Sequence, residues 1–146
     1  TRPFGRPPGD LEALRRDLMD LMWQDVGIMR TREGLERALG GLEKMAEVLE
    51  GCGLAASGRA FDLAWQDWLN LESQILVGRA VATAALAREN SCGAHFREDF
   101  PQPAPTETAF NTVVRLETAG FSAETRPARF SRVRPGASLL VEDETP

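Results

Sequence analysis

The longest helical pattern of the chain lies in residues 61–87, which read FDLAWQDWLNLESQILVGRAVATAALA. Apolar side chains recur there every three or four residues, the spacing that places them on one face of an α-helix. Ser57 is a suitable N-cap, and the pattern predicts a helix from that residue to about Asn90, roughly 50 Å long. The apolar stripe of this helix contains Phe61, Trp65, Trp68, Leu69, Leu71, Ile75, Leu76 and Leu86.

Two shorter amphipathic helices are predicted before the long one. Asp10 is suited to cap the first, whose apolar residues recur until Gly27 interrupts the pattern. Thr31 is suited to cap the second, which is predicted to end near Gly51. The wide stripe of the third helix can pack against both shorter helices, so residues 10–91 are predicted to form a three-helix antiparallel bundle.

The regions on either side of the bundle differ from it in composition. Residues 1–9 are rich in proline and are predicted to be a linker from a domain that precedes them. Prolines also mark residues 92–106 as an extended connector. Residues 107–146 are predicted to form short strands, at 112–117 and about 123–133, and a tail. The predicted fold class is therefore mainly α, with a three-helix antiparallel bundle, an extended connector and a small C-terminal β-hairpin or meander.

The overall composition is that of an ordinary globular protein, with 42% hydrophobic and 27% charged residues. Because the formal net charge is -5, we expect no nucleic-acid partner. The longest apolar stretch, Ile75 to Ala87, is interrupted by Arg79 and falls short of the roughly 20 residues that span a bilayer. We therefore expect no direct membrane insertion. Two cysteines and no recognisable signal peptide indicate a reducing, cytoplasmic compartment.

Motifs that carry catalytic or cofactor chemistry are missing from the sequence. It contains no glycine-rich strand-to-helix turn for a dinucleotide and no phosphate-binding loop. Cys92 and His95 have the spacing of half a zinc site, and Cys52 could supply a third ligand, but these residues do not complete one. We accordingly assign no catalytic, cofactor-binding or metal-binding residue.

The third helix also carries polar and small residues within its apolar face. Glu72 and Arg79 project there, either at the margin, where they reach solvent, or in an ion-pair network. Gly78, Ala82 and Ala85 form a ridge of small residues that permits close approach of another backbone. Packing inside the bundle and docking of a second domain both fit this ridge.

The segment that follows the long helix resembles a family signature. Residues 88–101 read RENSCGAHFREDFP and are similar to the RxESRGAHxRxDFP signature of succinate dehydrogenase and fumarate reductase flavoproteins. Residues 14–16 and 22–31 resemble the opening of the same family's helical domain, and residues 125–130 resemble its closing strand. The resemblance therefore covers most of the chain in the family's order.

The resemblance implies that this chain is the C-terminal helical domain of a larger FAD-dependent oxidoreductase acting on a dicarboxylate. In that family the FAD and the residues that bind the dicarboxylate belong to flavin and capping domains that precede the helical one. The expected partners are the flavin domain of the same parent chain and, as a further candidate, an iron–sulfur subunit. Two charged positions of the signature are lost here, since Asn90 stands for a glutamate and Cys92 for an arginine.

The resemblance also suggests which residues face the flavin domain. We expect the interdomain interface to contain Arg88, Ser91, Gly93, His95, Arg97 and Asp99. The alternative is that the charged residues among them only cap the third helix and solvate the connector. L-aspartate oxidases share the helical domain but usually lack the arginine corresponding to Arg97, and they remain an alternative. A free-standing helical protein-interaction module is the alternative from another class.

Overall fold

Three helices and two pairs of strands form the part of the chain that the computed structural model describes, residues 3–54, 62–103, 105 and 108–132. In chain order they are α1 (Leu11–Val26), β1 (Met29–Arg30), α2 (Arg32–Gly51), α3 (Leu63–Ala87), β2 (Phe96–Arg97), β3 (Phe110–Glu117) and β4 (Gly120–Pro127). The prediction of a mainly α fold with three helices and a small C-terminal β-hairpin is confirmed. Within these ranges, no helix is both long and apolar enough to cross a membrane.

Side-chain caps define the starts of α1 and α2. The Asp10 carboxylate accepts a hydrogen bond from Ala13 N at 2.9 Å, and the Thr31 hydroxyl accepts one from Gly34 N at 3.1 Å. The caps predicted at Asp10 and Thr31 are confirmed. Each satisfies a backbone donor that the first helical turn leaves unpaired, and such a cap typically contributes about 1 kcal/mol.

The third helix, α3, is shorter in the described residues than its sequence pattern predicts. It begins at Leu63, where the Asp62 carboxylate caps the first turn. Its predicted end at Asn90 is wrong, because the backbone becomes extended directly after Ala87. The described helix has 25 residues and is about 38 Å long. The predicted cap Ser57 lies outside the described residues.

The core lies between the three helices, and all three contribute to it. One tryptophan is part of this core, because Trp68 Nε1 donates to Leu49 O at 3.1 Å. Burying side chains of this size contributes about 1.5–3 kcal/mol each. The buried apolar residues are Leu14, Leu18, Val26, Leu35, Ala38, Leu42, Leu49, Trp68, Leu71, Ile75, Ala82 and Ala85.

The ridge of small residues on α3 packs inside the bundle. Gly78, Ala82 and Ala85 are all buried. A Cβ atom added at Gly78 would lie 3.2 Å from both Leu42 Cδ2 and Met22 Sδ. Side chains of α1 and α2 therefore rest directly on the α3 backbone, and internal packing accounts for the ridge.

The apolar face of α3 is narrower than predicted. Leu69 and Leu76 are 41% and 42% exposed, because the buried positions recur only at the alternating spacing of a narrow seam. Glu72 is exposed. Arg79 lies at the margin as well, with its guanidinium carbon 5.7 Å from the centre of the Phe121 ring on β4.

A short parallel strand pair, which the sequence does not predict, connects the turn after α1 to the segment after α3. Met29 on β1 pairs with Phe96 on β2, and Arg30 pairs with Arg97. Phe96 N donates to Ile28 O at 3.1 Å. The predicted connector 92–106 is therefore held to the bundle by backbone hydrogen bonds at its centre.

The C-terminal hairpin is formed by β3 and β4, paired in antiparallel register from Phe110 with Pro127 to Glu117 with Gly120. Gly120 has a φ of 121°, a conformation in the tight turn that favours glycine. The second strand starts earlier than predicted and ends at Pro127. The meander alternative depends partly on residues after 132, which lie outside the described ranges.

Part of the predicted linker lies against the bundle. Gly53 N donates to Pro7 O at 2.7 Å, directly after α2. The Phe4 ring meets Trp65 on α3 edge to face, with ring centres 5.6 Å apart. These contacts bring residues 4–9 to the end of the bundle that holds the start of α3.

Candidate functional site

Arg97 is the central side chain of the segment that follows α3. It is fully buried, with 0% of its surface exposed. Its Nη1 group donates to the carbonyl oxygens of Ala85, Leu86 and Arg88 at 2.8, 3.2 and 3.2 Å. These carbonyls belong to the last turn of α3 and its C-cap, which have no partners within the helix. A guanidinium on β2 therefore caps the C-terminal end of α3, where a positive charge is favoured by the helix dipole.

Asp99 completes the arginine cap. Its two carboxylate oxygens accept from Arg97 Nε at 2.7 Å and from Arg97 Nη2 at 2.6 Å, which is a bidentate ion pair. The same carboxylate accepts from Arg32 N at 3.2 Å, at the start of α2. Its hydrogen bond with Arg97 lowers the pKa of Asp99 to about 2. The pair therefore joins the ends of two helices.

Ser91 and Gly93 shape the turn that precedes β2. The buried Ser91 hydroxyl accepts from Arg97 N at 2.9 Å and lies 2.9 Å from Phe100 O, to which it donates. The turn itself is closed by Cys92 N donating to His95 O at 2.8 Å and by His95 N donating to Cys92 O at 3.1 Å. Gly93 is exposed and has a φ of 57°, in the left-handed region that side chains disfavour.

His95 bridges two arginines. Its Nε2 lies 3.2 Å from Arg88 O, and its Nδ1 lies 2.6 Å from Arg30 Nη1. A carbonyl can only accept, so Nε2 carries the proton and Nδ1 accepts from Arg30. Burial lowers the pKa of His95, and the positive charges of Arg30, Arg88 and Arg97 lower it further against the opposing Arg88 carbonyl. The imidazole is therefore neutral at pH 7.

Arg30 and Arg88 carry positive charges that no carboxylate in the described ranges balances. Arg30 Nε donates to Val26 O at 3.2 Å, and burial followed by the charge of Arg97 lowers the pKa of Arg30. Arg88 Nε donates to Asn90 Oδ1 at 2.9 Å. Its guanidinium carbon lies 4.9 Å from the centre of the Phe110 ring. Both guanidinia are partly buried without an ion-pair partner in the part of the chain described.

These arginines line a cleft of about 460 Å³ between α3, the turn before β2 and the hairpin. The hydroxyl oxygen of Thr112 is buried without a hydrogen-bond partner there. We name this cleft the arginine cleft, lined by Arg30, Val81, Ala84, Ala85, Arg88, Cys92, His95, Asn111 and Thr112. It has two unbalanced positive charges and an unused hydroxyl, a combination that suits an anion.

Exposed apolar side chains form a second surface, next to β1 and β2. Trp23 is 82% exposed and Met29 is 61% exposed, while large apolar side chains are normally covered. We name this set the Trp23 surface, and it comprises Met19, Trp23, Ile28, Met29 and Phe96. The backbone pairing of Met29 with Phe96 brings its two sequence segments together.

The structure distributes the six predicted interface residues between the interior and the surface. Ser91 and Arg97 are buried, and their contacts stay within this chain. Arg88 and His95 line the arginine cleft. Gly93 is exposed, and the Asp99 side chain is 28% exposed. Assignment of the six to an interdomain interface stays a prediction.

Sequence reasoning missed Arg30 and Thr112 as members of the site. Arg30 lies within residues 22–31, which resemble the opening of the family's helical domain, but it contacts His95 from 65 residues away. Thr112 reaches the cleft only because the hairpin packs on α3. In the described ranges, no three His, Cys, Asp or Glu side chains are grouped as a metal ion would require.

Comparisons with known proteins agree with the geometry. A fumarate reductase (CoM/CoB) from Methanothermobacter marburgensis has one subunit that is 35% identical over 92 residues, 63% of this chain and 17% of that protein. L-aspartate oxidase from Pyrococcus furiosus is 36% identical over 97 residues, 66% of this chain and 15% of that protein. Mycobacterium smegmatis Sdh1, a solved structure, has a TM-score of 0.77 and 25% identity, covering 84% of this chain and 21% of its own. The chain thus spans less than a quarter of each of these proteins.

The three-helix bundle, the arginine cap and the hairpin together define the helical domain of a flavoprotein. Residues 15–139 match the family described as Fumarate reductase flavoprotein C-term. The chain belongs to this family and corresponds to the C-terminal domain of a flavoprotein subunit of the fumarate reductase and succinate dehydrogenase type.

Proposed function

We propose that this chain is a docking domain that braces the flavin domain of an FAD-dependent fumarate reductase or succinate dehydrogenase. The observation that carries the proposal is the Trp23 surface, which adjoins the segment with the family signature. In this arrangement the flavin domain covers Trp23 and Met29, while the arginine cap keeps the turn 92–95 in position. The domain contributes stability and orientation rather than a reacting group.

The physical argument rests on exposed area. Single apolar side chains are common on protein surfaces, but a contiguous group that includes a tryptophan marks an interaction site. Tryptophan is also among the residues that contribute most to binding when an interface covers them. Because the chain spans only 17% of its fumarate reductase relative, the remainder of a protein of that kind can serve as the covering partner.

FAD is assigned to the preceding domain in this proposal. The dinucleotide pyrophosphate requires a glycine-rich turn between a strand and a helix, and Gly51 and Gly53 instead follow a helix. The arginine cleft suits a small anionic group rather than a dinucleotide. The residues of this chain therefore act on the flavin only through the position of the domain that binds it.

Substitution of Trp23 in a flavoprotein that carries this domain tests the proposal. Trp23→Glu places a charge in the covered interface, so we expect weaker FAD retention and a lower thermal midpoint of the FAD-bound protein. Val77→Glu is the matched control, because Val77 is exposed on α3 away from the Trp23 surface. Both variants should fold normally as the 146-residue chain. Equal FAD retention in the two variants would refute the docking role of Trp23.

An L-aspartate oxidase is the second candidate for the parent protein, favoured by the 36% identity to the Pyrococcus furiosus enzyme. The arginine cap favours the dicarboxylate oxidoreductases, because Arg97 is the signature residue that aspartate oxidases usually lack. A flavoprotein carrying this domain should interconvert fumarate and succinate and leave L-aspartate unchanged. Oxidation of aspartate with no activity on fumarate or succinate would reverse the assignment.

An iron–sulfur subunit is a further proposed partner, on the basis of the family resemblance. Copurification of an iron–sulfur protein with the flavoprotein at a fixed stoichiometry tests it. A flavoprotein that is active and fully loaded with FAD as a single polypeptide would count against such a partner.

A further inference from the structure

The arginine cleft has an arrangement of donors that its own chain leaves unused. Arg30 uses Nε and Nη1 for Val26 and His95, and Arg88 uses Nε and Nη1 for Asn90 and Phe110. The Nη2 groups of both arginines have no hydrogen-bond partner in the described part of the chain. Each guanidinium therefore still presents an edge to a ligand.

Charges around the cleft are not balanced from within. Asp99 is committed to Arg97 through both oxygens. Glu89, the other acid nearby, pairs with Arg32 at 2.7 Å. The position that the family signature gives to a glutamate is occupied here by Asn90, whose amide oxygen already accepts from Arg88 Nε. The substitution leaves Arg88 hydrogen-bonded but without a countercharge.

We propose that the arginine cleft binds a carboxylate side chain supplied by the domain that this chain braces. The carboxylate accepts from the free Nη2 groups of Arg30 and Arg88, and from the Thr112 hydroxyl, which is otherwise buried and unpaired. Neutral His95 acts as a positioning residue, because its Nδ1 holds Arg30 Nη1 at 2.6 Å. This assignment deepens the proposed docking function and rests on it.

A carboxylate suits the cleft for geometric reasons. Guanidinia bind planar carboxylates through paired hydrogen bonds, and these charge-assisted bonds are stronger where water is partly excluded. The cleft, at about 460 Å³, has room for the end of an aspartate or glutamate side chain. It adjoins the turn 92–95, so a carboxylate and the Trp23 surface can both be engaged by one neighbouring domain.

Acetate is the probe for this proposal, because it is the isolated carboxylate group. His95 is the only histidine of the chain, so isotope-labelled imidazole gives a single set of NMR signals next to the cleft. We expect acetate to shift these signals saturably in the 146-residue chain, beyond the effect of chloride at the same ionic strength. Equal effects of acetate and chloride would mean charge screening alone and would overturn the proposal.

Three variants assign the binding to the cleft. Arg30→Gln removes one charge, and Asn90→Asp places a competing carboxylate beside Arg88 at a distance already set at 2.9 Å. We expect both to weaken acetate binding by about tenfold. Arg115→Gln is the control, because Arg115 pairs with Glu124 on the hairpin surface, and it should bind acetate normally. Unchanged binding in both test variants, when their spectra show the native fold, would refute the site.

Two further comparisons identify the source of the carboxylate. Succinate, with two carboxylates, should bind about as tightly as acetate if the cleft is built for one side-chain group, and a preference well above tenfold would indicate a free dicarboxylate site instead. In the full flavoprotein the cleft should already be filled, so acetate should no longer move the His95 signals. An undiminished response there would overturn the side-chain source, whereas the docking proposal itself fails only if Trp23→Glu leaves FAD retention unchanged.

Discussion

Replacement of Arg97 by methionine should cost about 3 kcal/mol of folding free energy, although the apolar side chain has a similar length. Arg97 makes five side-chain hydrogen bonds, three to carbonyls at the end of α3 and two to Asp99. Losing a donor to a buried carbonyl costs roughly 1–3 kcal/mol, but one Nη1 group is shared among the three acceptors. The partly exposed pair with Asp99 adds about 1 kcal/mol after allowance for solvent screening. The larger part of the loss therefore comes from the uncapped helix end.

Denaturant unfolding of the 146-residue chain measures this loss. We expect a lower midpoint with an unchanged slope, and a thermal midpoint reduced by about 10 °C. Arg97→Lys should recover only part of the stability, because one ammonium cannot make the bidentate contact with Asp99. Arg115→Gln, which removes an exposed pair, should stay within about 0.5 kcal/mol of the parent. A loss below about 1 kcal/mol for Arg97→Met would refute the internal-cap interpretation.

Two further outcomes follow from the same segment. The pKa of His95 is lowered in the folded chain by burial and by three arginines, so the unfolded chain binds the extra proton first and stability should fall as pH decreases through about 6.5. His95→Gln should flatten the dependence of unfolding free energy on pH between about 6.5 and 5, and an unchanged slope would show that His95 is not its source. Gly93→Ala should cost about 1 kcal/mol, because Gly93 has a φ of 57° and an added Cβ meets nothing within 4 Å. A neutral effect in denaturant unfolding would mean that the turn relaxes to another conformation.

Local sequence signals were sufficient for the first two helices and only partly for the third. Asp10 and Thr31 combine a capping side chain with an apolar period that begins immediately after it, so start and face are specified together. The stripe of the third helix is less specific, because apolar residues such as Leu69 and Leu76 broaden it beyond the seam that α1 and α2 cover. Its C-terminal end depends on the arginine cap, which comes from a residue further along the chain.

The parallel pairing of β1 with β2 could not be predicted from residue patterns. Each strand has two residues, which is too short for an alternating pattern to be recognised. The family signature pointed to Arg97, but a motif does not say whether a side chain faces inward or outward. The arginine cleft was missed for a similar reason, because it joins Arg30, Arg88 and Thr112 from three separate elements.

Hydroxyl-radical footprinting of Trp23 and Met29 is the most direct test of the central claim that this domain docks on a flavin domain. The 146-residue chain is compared with a flavoprotein that carries it at the C-terminal end, and Phe130, 46% exposed at the end of the hairpin, serves as the internal reference. We expect oxidation of Trp23 and Met29 to fall severalfold in the flavoprotein relative to Phe130. Equal oxidation of Trp23 and Met29 in the two proteins would contradict docking through this surface.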